Sequence, residues 1–111
     1  MNWHEINESG VDVAVVGATG LVGELLLRLL AERRFPVRKL RLLASERSRG
    51  TSVTFGARRL AVDVASPRAF EGVQLAFFAA SSELSKTLAK EAVRRGSIVV
   101  DKSSIHRMDP T

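Results

Sequence analysis

A chain of 111 residues is about one domain, long enough to bury a single core and too short for a two-domain enzyme. With 45% hydrophobic and 26% charged residues its composition is that of a globular protein, which excludes overall disorder. The formal charge of +5, carried mostly by arginine, points to an anionic partner, while the absence of cysteine excludes a disulfide framework, a thiolate metal site and a thiol nucleophile within these residues.

Residues 1–10, MNWHEINESG, read as a polar lead-in that ends at Ser9-Gly10. They hold no apolar segment of signal-peptide length, and no later stretch approaches the about 18 apolar residues needed to cross a bilayer, so a cytoplasmic protein without membrane contact is expected. Residues 11–111 form the expected domain. Val11 to Val16 are a short apolar run, interrupted only by Asp12, of the kind found in a strand buried on both faces. Leu21, Val22, Leu25, Leu26, Leu29 and Leu30 then recur at helical period, with Glu24, Arg28 and Glu32 spaced by four on another face. Phe35-Pro36 breaks that helix. KLRLLAS (39–45) predicts a second strand, followed by the polar loop SERSRG. SVTF and RRLAVDV, separated by Gly56-Ala57, alternate as a hairpin does. Ser66-Pro67 suits the N-cap and first position of one helical turn ending at Gly72. VQLAFFAA (73–80) predicts a buried strand, a helix starts at Ser82 and runs to Arg94-Arg95 before Gly96, and SIVVD (97–101) predicts a last strand. This order gives an α/β fold: a Rossmann-like, doubly wound and mostly parallel sheet with a β-hairpin insertion.

Gly17, Gly20 and Gly23 are spaced G-x-x-G-x-x-G between the first strand and the first helix. At such a junction the first glycine permits the tight turn, the second admits a pyrophosphate to the backbone N–H groups of the helix N-terminus, and the third lets helix and strand pack closely. A site for NAD ordinarily carries an acid at the end of the second strand to hold the ribose hydroxyls. Here that place reads Ala44-Ser45-Glu46-Arg47-Ser48. An arginine between two hydroxyls suits a 2′-phosphate, through charge-assisted hydrogen bonds worth about 1.5–3 kcal/mol each, so NADP (NADPH) is favoured over NAD. Glu46 works against this if it turns inward, because it then repels the phosphate and holds the ribose. The remaining basic residues fall in scattered doublets (Arg33-Arg34, Arg58-Arg59, Arg94-Arg95) without interleaved aromatics, the pattern of solvated helix ends and turns; nucleic acid is not the expected partner. No metal-ligand constellation and no catalytic group stand out.

These stretches together resemble the N-terminal part of aspartate-semialdehyde dehydrogenase. VAVVGATGLVGE resembles its first strand and glycine loop, FPVRKLRLLASERSRG its second strand and NADP-phosphate loop, and FEGVQLAFFAASSELS its fourth-strand region. IVVDKSSIHRMDP resembles its D-N-S-S-x-F-R-M-D-P segment. The resemblance spans Val11 to Pro110. It implies that Gly17, Thr19, Gly20, Leu21 and Val22 line the pyrophosphate, that Ser45, Arg47 and Ser48 take the 2′-phosphate, and that Ala80, Ser81 and Ser82 lie on the ribose and nicotinamide side. Arg107, at the arginine of the family's F-R-M, is implied as the ligand of the substrate's acyl phosphate. Two positions depart from the family pattern: Lys102 stands for an asparagine near cofactor and substrate, and His106 for a phenylalanine.

In the family a cysteine thiolate attacks the carbonyl of β-aspartyl phosphate, phosphate leaves, and NADPH delivers hydride to the thioester, a sequence that serves lysine, threonine and methionine biosynthesis. The cysteine and its histidine base lie in a second domain, so the resemblance implies a truncated unit, inactive alone and without catalytic residues of its own. It also implies a missing cover over an apolar sheet face. At roughly 25 cal/mol per Å², even ~400 Å² of lost burial is about 10 kcal/mol, so the unit is expected to self-associate as a homo-oligomer or to be completed by the catalytic domain. Two other readings remain at this point: a non-catalytic relative kept as a binding or interaction module, and an extended short-chain reductase, which needs a tyrosine this chain lacks.

Overall fold

A computed structural model describes residues 10–79 and 83–101. Six strands form one sheet: β1 (Val11–Val16), β2 (Val37–Ala44), β3 (Ser52–Phe55), β4 (Arg58–Val64), β5 (Leu75–Phe78) and β6 (Ile98–Asp101), with helices α1 (Leu21–Glu32) and α2 (Glu83–Arg94). The spatial order is β3-β4-β2-β1-β5-β6. All pairs are parallel except the β3–β4 hairpin. The expected Rossmann-like sheet with its hairpin insertion is therefore present, and its order reverses at β1, the place where ligands sit in such folds.

Register divides the core into two layers. Val13 stands opposite Leu40 and Leu75, and Val15 opposite Leu42 and Phe77; this face packs under Leu26, Leu27 and Leu30 of α1. Ala14, Val16, Leu43, Ala76 and Phe78 face the other way, against Leu88 and Ala92 of α2 and against Phe70. Phe70 closes the short 3₁₀ helix Pro67–Phe70 and stacks on Phe78, with ring centroids 5.7 Å apart. β1, central and buried on both sides, thus needs an apolar residue at nearly every position, and the run Val11–Val16 supplies it.

Both helices end in a Schellman motif. At α2 the left-handed residue is Gly96 (φ 93°), with Ser97 N–H donating to Ala92 and Gly96 N–H to Val93. At α1 the same role falls to Arg34 (φ 52°), with Phe35 N–H donating to Leu30 and Arg34 N–H to Ala31, so the helix stops ahead of Pro36 without a glycine.

Four expectations need correction. β2 starts at Val37, two residues early, because Val11 N–H donates to Pro36 and Val11 pairs with Val37 before an irregularity at Asp12. β5 is shorter than VQLAFFAA: Val73 turns back on Phe70, and Gln74 is taken up by Asp12. β6 starts at Ile98, since Ser97 belongs to the end of α2. The apolar stripe of α1 is also displaced. Gly23, Leu26, Leu27 and Leu30 are buried, whereas Leu21, Leu25 and Leu29 are 86%, 51% and 38% exposed. The row Val13–Leu75–Ile98, on the α1 face, ends at the half-exposed Ile98. Among the described residues no helix is long and apolar enough to cross a membrane.

At the edge where β1 begins, Asp12 receives two hydrogen bonds from Arg38, Nε to Oδ1 at 2.9 Å and Nη2 to Oδ2 at 2.7 Å, while its own N–H donates to Gln74 Oε1. The Arg38 hydrogen bonds hold the Asp12 carboxyl below its ordinary pKa, against a smaller opposing effect of burial. A carboxyl lowered in the folded state stabilises above its unfolded pKa and loses that contribution as pH falls through the folded value. Urea midpoints of the parent and Asp12→Asn should therefore differ at pH 7, with the parent more stable, and converge as pH drops below about 4. A gap that persists unchanged into acid contradicts this account.

Candidate functional site

The turn after β1 is built by its glycines. Gly17 adopts φ 85°, a left-handed conformation, while its N–H and that of Ala18 still donate to Leu43 O of β2 at 2.8 and 3.3 Å. Gly20 N–H then returns to Gly17 O at 3.1 Å and closes the turn. Gly20 is the N-cap of α1 and, having no side chain, offers no cap. A β-carbon on Gly20 meets only Gly17 O at 3.6 Å, ordinary contact. At Gly23 a β-carbon falls 2.2 Å from Gly17 O and 2.9 Å from Ala18 Cα, both backbone atoms. Close approach of helix to strand is thus the structural reason for the third glycine, and it holds the start of α1 against the end of β1.

An α-helix leaves its first N–H groups without intrahelical partners. In α1 these belong to Leu21, Val22 and Gly23, and no side chain of Gly20 competes for them. Leu21 is almost wholly exposed, so its backbone is what it offers here. Partial positive charge collects at this end of the helix, and a diphosphate matches it in sign and hydrogen-bonding need.

The loop after β2 stands beside this turn. Glu46–Ser48 forms one 3₁₀ turn with Ser45 as its N-cap, and Thr19 Oγ1 lies 3.3 Å from Ser48 Oγ, across 29 positions of sequence. Parallel pairing of β1 and β2 carries both strands to the same edge, which is why these two hydroxyls meet. Ser45 and Arg47 are exposed and Ser48 partly so. Arg47 forms no ion pair or hydrogen bond with another described residue, whereas Glu46 Oε1 lies 3.3 Å from Arg49 Nη1. The acid that threatened a phosphate site is thus engaged by a neighbouring cation. Sequence reasoning missed this pair, although the spacing Glu46-x-x-Arg49 was there to be read.

Gly17, Thr19, Gly20, Leu21 and Val22 therefore sit together at one mouth, with Ser45, Arg47 and Ser48 on its adjoining wall. Ala80, Ser81, Ser82, Lys102, His106 and Arg107 lie outside the described residues. A separate groove of about 630 Å³ runs between α1 and β3, lined by Glu24, Arg28, Glu32, Ser52, Thr54 and Arg59 among others. It includes none of the expected site residues, and its Arg59 already donates to Ser52 Oγ at 2.7 Å. Size alone does not mark the site.

A reversing parallel sheet with an uncapped, glycine-built helix start at the end of its central strand defines a nucleotide-binding Rossmann-like domain. Residues 12–111 match the family described as semialdehyde dehydrogenase, NAD binding domain, and the chain belongs to that family. It is 53% identical over 100 residues to an aspartate-semialdehyde dehydrogenase of Bacillus subtilis (strain 168), covering 90% of this chain and 29% of that protein. Among solved structures, aspartate semialdehyde dehydrogenase II of Vibrio cholerae complexed with ASA is similar with a TM-score of 0.76 and 43% identity, over 82% of this chain and 30% of that one. A probable aspartate-semialdehyde dehydrogenase from Pseudomonas aeruginosa gives the same TM-score, 0.76, at 42% identity over 91% of this chain. The chain thus spans about 30% of the length of the relatives it matches, their N-terminal part.

Proposed function

We propose that this chain is the NADPH-binding unit of an aspartate-semialdehyde dehydrogenase, acting in amino-acid biosynthesis in the cytoplasm on β-aspartyl phosphate and its semialdehyde. The observation that carries the reading is the uncapped first turn of α1, held against β1 by Gly23 and joined at its mouth by the Thr19–Ser48 hydroxyl pair. The residues present fit the cofactor. Amides at Leu21 and Val22, with the Gly17–Gly20 turn and Thr19, would bind the diphosphate, and Ser45, Arg47 and Ser48 would bind a 2′-phosphate. When bound, the nicotinamide supplies hydride; the chain's part is to fix the dinucleotide and orient it. Ala80, Ser81 and Ser82 on the nicotinamide side, and Arg107 toward the substrate phosphate, complete the reading by family resemblance. Residues 11–111 act as one domain, completed by a catalytic domain that brings the thiol and the dimer contact and covers the exposed apolar residues.

Titration with NADPH and NADH, followed by nicotinamide fluorescence, tests this. NADPH is expected to bind more tightly, and Arg47→Ala to weaken it at least about tenfold while leaving NADH unchanged, the scale of one charge-assisted hydrogen bond. The chain without a cysteine should not turn over aspartate semialdehyde. A folded sample that binds neither dinucleotide overturns the proposal; preference for NADH overturns the role given to Arg47.

A further inference from the structure

Arg49 and Glu46 close a charge pair one residue to either side of the Arg47-Ser48 dipeptide. Its geometry is set by the backbone. Ser48 N–H donates to Ser45 O at 2.9 Å and Arg49 N–H to Glu46 O at 3.1 Å, so the 3₁₀ turn places positions 46 and 49 on one side. Thr51 fastens the far end, its N–H and Oγ1 both donating to Ser48 O, the latter at 2.7 Å. The same Ser48 is tied to the glycine turn through its side chain, Oγ lying 3.3 Å from Thr19 Oγ1. Glu46 is thereby kept within one helical turn of the wall that faces the nucleotide.

An acid after the second strand is the group that accepts ribose hydroxyls in sites for NAD and repels a 2′-phosphate. Left alone, Glu46 would cancel the charge of Arg47. We propose that Arg49 sets the cofactor preference of this site by engaging Glu46, so that the wall presents net positive charge to a phosphorylated ribose. This rests on the reading of the mouth as a dinucleotide site. Arg49 is a positioning residue that acts through Glu46 and touches no cofactor atom.

The test compares NADPH and NADH dissociation constants for the full chain as parent, Arg49→Ala and Arg49→Ala/Glu46→Gln. Exposed charge interactions are worth up to about fivefold in an equilibrium constant. Arg49→Ala should weaken NADPH by about that factor, leave NADH equal or tighter, and do so less at high salt. Adding Glu46→Gln should restore the NADPH:NADH ratio toward that of the parent, which a general loosening of the loop would not do. Equal weakening of both dinucleotides, or a ratio that Glu46→Gln fails to restore, overturns the role of Arg49 while leaving the dinucleotide site intact. Binding of neither by the parent overturns both.

Discussion

Gly23→Ala will cost the domain about 3 kcal/mol or more and abolish nucleotide binding, whereas Gly20→Ala will fold nearly as well as the parent and still bind weakly. The difference follows from what each methyl meets. At Gly23 it lands 2.2 Å from Gly17 O and 2.9 Å from Ala18 Cα, and these atoms belong to a turn that Gly17 and Ala18 anchor to Leu43 O of β2. Overpacking a yielding core costs about 1–3 kcal/mol, and here no flexible side chain can give way. Either α1 lifts from the sheet or the turn opens, and both displace the amides of the first helical turn. At Gly20 the methyl finds only Gly17 O at 3.6 Å, and the backbone φ of −85° suits any residue. Stability then changes by about 1 kcal/mol or less, the scale of an altered N-cap, while a diphosphate loses its close approach to the backbone. Urea denaturation and NADPH titration of the two variants separate the effects; equal stability of Gly23→Ala and Gly20→Ala would contradict the packing argument.

The second large effect concerns the leucines of α1. Leu27, 1% exposed, lies in the layer between α1 and the sheet, and Leu27→Ala should cost about 2–5 kcal/mol through lost burial and the cavity left behind. Leu25, 51% exposed, makes no such layer, and Leu25→Lys should change stability by only about 0.5 kcal/mol. Thermal or urea midpoints decide the matter. A costly Leu25→Lys beside a mild Leu27→Ala would mean that the helix is rotated from the orientation described.

That rotation is also where the sequence reading went astray. α1 reads LVGELLLRLLAE, with leucine on every side, so period alone cannot say which leucines face inward. The informative residue was Gly23. If it must touch the strand turn, positions three, four and seven further on share its face, and these are the buried Leu26, Leu27 and Leu30. The succession of strands and helices, the hairpin and the turn at Ser66-Pro67 were legible because each rests on local chemistry: a short apolar run, alternation around Gly56, a proline at a first helical position. Strand ends were not, because they depend on distant partners, as Val37 depends on Val11 and Gln74 on Asp12. The glycines of the mouth could be named from spacing, and Thr19, Leu21 and Val22 from the family resemblance, but the meeting of Thr19 with Ser48, and the capture of Glu46 by Arg49, depend on tertiary register and side-chain geometry.

The wall formed by Thr19 and Ser48 has a thermodynamic corollary. One hydroxyl follows β1 and the other follows β2, so in an unfolded chain they share no neighbourhood and no binding surface exists. Ligand then associates with the native ensemble alone, and mass action deepens the native well: at a hundred times the dissociation constant the gain is about 2.7 kcal/mol, a sizeable fraction of the whole free energy that keeps a small domain folded.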